Sequence, residues 1–182
     1  MDLLNVEASD YPDIKKIYHE AFPLKERSPF LFLKLKYQHG KADFLKVMDE
    51  GALVGFAYIM THNDLAYIFL FAIAAKYRGG HHGTHAIKMI LEKYKGKRVY
   101  LALEDWRVDC ANKEQRIKRH DFYQFCGFHD LPYQLQEDMI TYSIMGNGKK
   151  VEPWEHKTLT DAFLGTPLKY FIEMKIKKRH KF

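Results

Sequence analysis

One abrupt change of period constrains this chain more than any other feature. Residues Leu65 to Ile73 are apolar without a break, while Gly83, Ala86, Ile87, Ile90, Leu91 and Tyr94 form a single helical stripe that ends at Gly96. A short run that is apolar at every position reads as a central strand covered on both faces. Even extended to Ala75 it falls far short of the ~18 to 20 residues a membrane span needs. Between strand and helix lies Tyr77-Arg78-Gly79-Gly80-His81-His82-Gly83-Thr84.

That loop has the composition of an anion site. Glycines let backbone N–H groups approach a ligand closely, and a helix start leaves N–H groups without internal partners at the positive end of its dipole. Together these favour phosphate, and Arg78 adds a permanent cation with forked donors. On spacing alone, a glycine-bearing turn with no ligand fits equally well. The loop lacks the Gly-Lys-Ser/Thr ending of a nucleoside triphosphate loop and the three spaced glycines of a dinucleotide loop.

The flanking pattern predicts the rest of the fold. Leu3 to Val6 reads as a first strand, and Ile14, Ile17, Tyr18, Ala21 and Phe22 as one face of a helix stopped by Pro23. A second helix is expected over Pro29 to Gln38. Ala42 to Met48 and Ala52 to Met60 then flank the turn Asp49-Glu50-Gly51 as strands. Arg98 to Leu103 is a further strand, reached by a helical crossover and so parallel to the strand before it. A charged stretch from Glu104 to Arg119 enters a helix ending near Cys126-Gly127, and Phe128 to Tyr133 with Met139 to Met145 form a last hairpin. The expected fold class is α+β: a mixed, mostly antiparallel sheet with helices on both faces and a C-terminal extension. The domain is drawn at 1–145 and the extension at 146–182, with a short helix from Glu155 to Leu164 and a strand within Lys169 to Lys178.

Charge then separates two function classes. The 182 residues carry 29 basic and 23 acidic side chains, a net +6. From Gly146 onward eight lysines and Arg179 face Glu152, Glu155, Asp161 and Glu173, so nearly all of the excess lies in the extension. A nucleic-acid-binding face would put its lysines and arginines on the folded elements. Nucleic acid is therefore not the expected partner. The basic tail reads as a solvated edge strand or a homodimer contact. Cys110 and Cys126 are too few for a disulfide scaffold. With no secretory leader pattern, they predict a cytoplasmic protein without membrane contact.

The strand, loop and helix order resembles the GNAT superfamily of N-acetyltransferases, whose Gln/Arg-x-x-Gly-x-Gly/Ala loop holds the pyrophosphate of acetyl-CoA. Arg78 matches the first position and Gly83 the last, while His81 replaces the first glycine. A histidine there must adopt a backbone conformation that glycine reaches more easily, or bond the phosphates through its ring. A second match, Phe122-Tyr123-Gln124-Phe125-Cys126-Gly127-Phe128, is similar to the family's Phe-Tyr-x-x-x-Gly-Phe segment. The stretch Lys113-Glu114-Gln115-Arg116-Ile117-Lys118-Arg119 resembles one found in a bacterial subgroup.

The resemblance implies transfer of an acetyl group from acetyl-CoA to a primary amine of a small molecule or peptide, by direct attack in a ternary complex. It implies cofactor contacts at Phe71, Ala72, Ile73, Arg78, Gly79, Gly80, His81, His82, Gly83, Thr84 and Tyr123. A backbone N–H, that of Ile73, would polarise the thioester oxygen, and Tyr123 would protonate the departing thiolate. Glu104 is the expected base and Asp105 the next; the contrasting reading of Glu104 is a solvated carboxylate paired with Arg107. His81 and His85 have a metal-compatible spacing but nothing nearby completes a ligand set, so no metal is expected. His81, His82 and His85 crowd the loop and first helical turn, where phosphate contact or solvent exposure is expected of them, and Cys126 is expected as a buried small residue. The alternative function is a non-catalytic CoA-, nucleic-acid- or protein-binding module that uses the basic tail.

Overall fold

The structure, a computed structural model, describes residues 1–137, 140–166, 168 and 175–178. The chain folds as two compact units, Met1–Thr61 with Ile68–Lys95, and His62–Tyr67 with Gly96–Phe182. The architecture is mixed α/β, with mostly antiparallel strands and five α-helices among the described residues.

The first unit is built from β1 (Asp2–Asn5), α1 (Tyr11–Ala21), α2 (Phe30–Gln38), β2 (Asp43–Asp49), most of β3 (Ala52–His62) and of β4 (Leu65–Ile73), and α3 (His82–Lys93). Its strands lie in the order β1-β2-β3-β4. Helix α1 buries Ile14, Ile17 and Tyr18, as its periodicity predicts. Tyr18, Phe44, Phe56 and Tyr58 interlock at the core, with Phe44 and Tyr58 5.1 Å apart in an edge-on pair. Each such ring removed from water is worth roughly 1.5–3 kcal/mol.

Sequence pattern singled out β4 as covered on both faces, yet β3 is equally so: Val54 to Met60 are all buried. β3 also carries an irregularity that shapes the neighbouring strand end. Val47 pairs with Gly55 but Met48 pairs with Leu53, so Val54 is the extra residue of a β-bulge. The Val54 carbonyl accepts the N–H of Ala74 at 2.9 Å, just beyond the end of β4. A Cβ on Gly55 would collide with the Ala72 carbonyl oxygen and lie 3.2 Å from the Ile73 Cα. Glycine at position 55 is what lets β3 cross this close to Ala72 and Ile73.

In the second unit, β5 (Arg98–Glu104), β7 (Ile140–Asn147), β6 (His129–Glu137) and β8 (Lys175–Lys178) lie side by side in that order, with antiparallel pairing throughout. Helix α4 is Lys113–Phe125 and α5 is Pro153–Leu164. β6 runs beyond the expected Tyr133. Asp130 pairs with Met145 but Gln134 with Ser143, and this two-residue slip accommodates Pro132, which cannot donate to a ladder. β7 continues through the expected boundary at 145. The described part of the expected tail strand is β8, the neighbour of β6; Met139 and residues 169–174 lie outside the described residues. No helix among the described residues is long and apolar enough to cross a membrane.

His156 on α5 is a buried polar group in an aromatic setting. Its Nδ1 lies 3.0 Å from the Tyr100 hydroxyl, and its ring meets Tyr67 edge-on at 5.1 Å. Burial pushes its pKa down from 6.5 to about 4. The unfolded chain therefore binds a proton in this interval that the folded chain refuses, and stability rises with pH across it. Stability should fall by about 3 kcal/mol as pH drops from 6.5 towards 4, at ~1.4 kcal/mol per pH unit. Urea unfolding at stepped pH should show this acid limb in the natural chain and a shallower one in His156→Leu.

Candidate functional site

The β4–α3 connection is a compact sequence of constrained residues. Beyond β4 a 3-10 turn, Ala75–Tyr77, is closed by Tyr77 N–H on Ala74 O at 2.9 Å and Arg78 N–H on Ala75 O at 3.1 Å. Gly79 then has φ +83°, and His81 has φ +61° and ψ 2°. Both lie in the left-handed region, which costs a non-glycine residue about 1 kcal/mol or more. Of the two routes open to His81, the backbone has taken the strained one.

The strain delivers an unfilled helix start. His81 is the N-cap of α3 but makes no side-chain capping bond. The first helical bond of this segment runs from His85 N–H to His81 O at 3.0 Å. The N–H groups of His82, Gly83 and Thr84 thus have no partner in the helix and point along its positive end. Serine, threonine, aspartate or asparagine at an N-cap would occupy one of them; here an external anion can. Arg78 is exposed, and its Nε donates to the Ile73 carbonyl at 3.0 Å. This bond fixes the arginine stem beside the loop.

The His82 ring is half-buried and is held by two protein oxygens. Nδ1 lies 3.0 Å from the Tyr77 carbonyl oxygen and Nε2 3.1 Å from Asp49 Oδ2. Only its backbone N–H remains available to a ligand. His81 and His85 are exposed, and among the described residues no three His, Cys, Asp or Glu gather as metal ligands.

The second unit holds the two residues expected to act on protons. Tyr123 lies on the last turn of α4, its ring edge-on to Phe122 at 5.0 Å and to Phe128 at 5.8 Å. Burial pushes the phenol up, Arg119 opposes that shift, and Cys126 adds to it. The net direction keeps the proton on the phenol at neutral pH, which is the form a general acid requires. Cys126, expected to be buried, is half-buried at the helix end.

Glu104 is neither solvated nor paired with Arg107. It is 5% exposed at the end of β5, and its two carboxylate oxygens accept from Arg116 Nη2 and Arg119 Nη2. Arg107 belongs instead to Asp105 and Asp130, at 3.2 and 3.3 Å. Asp105 is 2% exposed and also accepts from Gln134 and from the Arg107 N–H. Sequence reasoning had met Arg116 and Arg119 only as part of a subgroup pattern. The available signal was their spacing of three, which puts both on one face of α4 next to buried His120.

Residues 11–128 match the sequence model of the Acetyltransferase (GNAT) family. No curated protein matches the chain significantly. Among solved structures, a protein from Bacteroides thetaiotaomicron assigned to the GNAT family superposes with a TM-score of 0.76 at 22% identity, covering 90% of this chain and 98% of that one. The ribosomal-protein-S18-alanine N-acetyltransferase of Escherichia coli gives 0.60 at 16% identity over 84% of this chain and 97% of its own. A Bacillus subtilis acetyltransferase in complex with CoA gives 0.58 at 13% identity, over 81% and 98%. At these identities the likeness is one of fold.

Removing one member of a buried ion pair costs about 3–5 kcal/mol because the remaining charge is left uncompensated. Glu104→Ala strands the largely buried Arg116, whereas Arg119 is more exposed and can be hydrated. The variant should lose about 3 kcal/mol of unfolding free energy in urea; an unchanged midpoint would show that the pair carries no net stability.

Proposed function

Because the chain belongs to the GNAT acetyltransferase family, we propose that it moves an acetyl group from acetyl-CoA to a primary amine of a small molecule or peptide, in a single ternary complex. The observation that carries this reading is the uncapped start of α3 behind Gly79 and the left-handed His81. Three aligned N–H groups without helical partners suit a doubly charged pyrophosphate. Gly79, Gly80 and Gly83 keep side chains away from that approach, and exposed Arg78 adds the cation.

Acetyl-CoA supplies the acyl group as a thioester. In this reading the β4 backbone at Phe71, Ala72 and Ile73 lines the pantetheine arm, and the Ile73 N–H polarises the carbonyl oxygen. The amine nitrogen forms the new C–N bond as the C–S bond breaks, and the Tyr123 hydroxyl gives its proton to the departing sulfur. Burial makes that phenol a reluctant acid against a thiol of ordinary pKa ~8.5. Arg119, four residues earlier on α4, offsets part of the cost. Glu104 was the expected base, but both of its oxygens already accept from arginines. That arrangement favours a holding role for Glu104, with the amine's proton passing to water.

Titration calorimetry should detect CoA and acetyl-CoA binding in the micromolar range, and no heat at millimolar ligand would overturn the reading. Tyr123→Phe should lower kcat by about 100-fold, within the range for loss of a positioned acid, while CoA affinity stays within about twofold. Released thiol measured across polyamines, amino acids, aminoglycosides and peptide N-termini would identify the acceptor class.

A further inference from the structure

Two oxygen acceptors face the two ring nitrogens of His82: the Tyr77 carbonyl at 3.0 Å and an Asp49 carboxylate oxygen at 3.1 Å. A neutral imidazole has one N–H, so it can satisfy one acceptor only by turning a lone pair towards the other. The imidazolium donates to both. The ring also fills the space beneath the loop. It lies 5.6 Å from the Tyr77 ring, and a Cβ on Gly80 would come within 2.9 Å of its Cε1 and Nδ1. One side chain is thus tied to the turn leaving β4, packed under Gly80 and braced on the end of β2.

We propose that His82 is a positioning residue for the anion loop: its ring, held between the Tyr77 carbonyl and Asp49, straps the loop to β2 and so holds the first-turn N–H groups of α3 where they meet the CoA pyrophosphate. The proposal rests on the acetyl-CoA reading and adds to it a residue that acts through its neighbours. Asp49 is the carboxylate facing the ring from β2, with the Met1 amino group 3.5 Å from its other oxygen and exposed Glu50 next in the chain. From the turn after β4 comes Tyr77, with the Lys76 ammonium 4.7 Å from its ring centroid. His81 and His85 are its histidine neighbours along the chain, and both are exposed. Removing the ring takes away both contacts, and with them the loop's tie to the end of β2.

The experiment is calorimetry of CoA binding to the full chain and to His82→Ala. The natural chain should bind about tenfold more tightly than the variant, the worth of one hydrogen bond to a charged group. In turnover the acetyl-CoA KM of the variant should rise by more than its kcat falls, a split that a merely loosened fold would not produce. Equal affinities overturn the proposal. If neither protein binds CoA, the acetyl-CoA reading fails instead. Amide hydrogen exchange of the loop in the ligand-free proteins then decides the strap separately, since protection unchanged in His82→Ala overturns it.

Discussion

A helix that starts without a capping side chain must find acceptors for its first N–H groups elsewhere, and the β4–α3 region is organised around that need. Gly79 and His81 take left-handed conformations that bend the loop back over the helix start. Gly80 has no side chain because the His82 ring occupies the space where one would sit. His82 is held by Tyr77 and Asp49, and Asp49 closes β2. The same unit kinks β3 at Val54 and brings Gly55 against Ala72 and Ile73, so the strand end that feeds the loop is set by its neighbour's bulge. Each local feature, strained backbone or missing side chain, borders this open set of donors.

The second unit meets a different problem, that of charge taken out of water. Glu104 and Asp105 follow one another at the end of β5 and are both buried, yet they are neutralised by different arginines. Arg116 and Arg119 come from α4 to Glu104, while Arg107 folds back on Asp105 over the Trp106 ring at 4.0 Å. Such a network gains little net energy over apolar packing but is expensive to leave half-made. Its effect is to fix which face of α4 turns inward, and Tyr123 lies one helical turn beyond Arg119 on that helix. Pairing with two arginines is what holds Glu104 at the end of β5.

Much of this was readable from residue order. The apolar run at Leu65 to Ile73, the stripe on α3, the helix at Ile14 to Ala21 and the hairpin about Asp49 to Gly51 follow from period and turn chemistry, and the structure has them within a few residues. The loop was recognisable because glycine, arginine and a helix start occur together locally. Histidine at position 81 announced an unusual backbone, and the left-handed conformation is the answer. What could not be read were the long-range partners: Asp49 for the His82 ring, thirty-three residues away, and Arg116 and Arg119 for Glu104. Local spacing instead suggested Arg107, the nearest cation in sequence.

The sequence by itself determined the elements, their order and a glycine-rich turn with an arginine ahead of a helix start, because periodicity, turn residues and helix ends are properties of neighbouring residues. Only the tertiary structure decided what each titratable side chain does. It placed Glu104 between two arginines, His82 between the Tyr77 carbonyl and Asp49, and His156 among buried aromatic rings. A side chain's role follows from burial and from which charges lie within a few ångströms, and those distances are set by residues far apart in the chain.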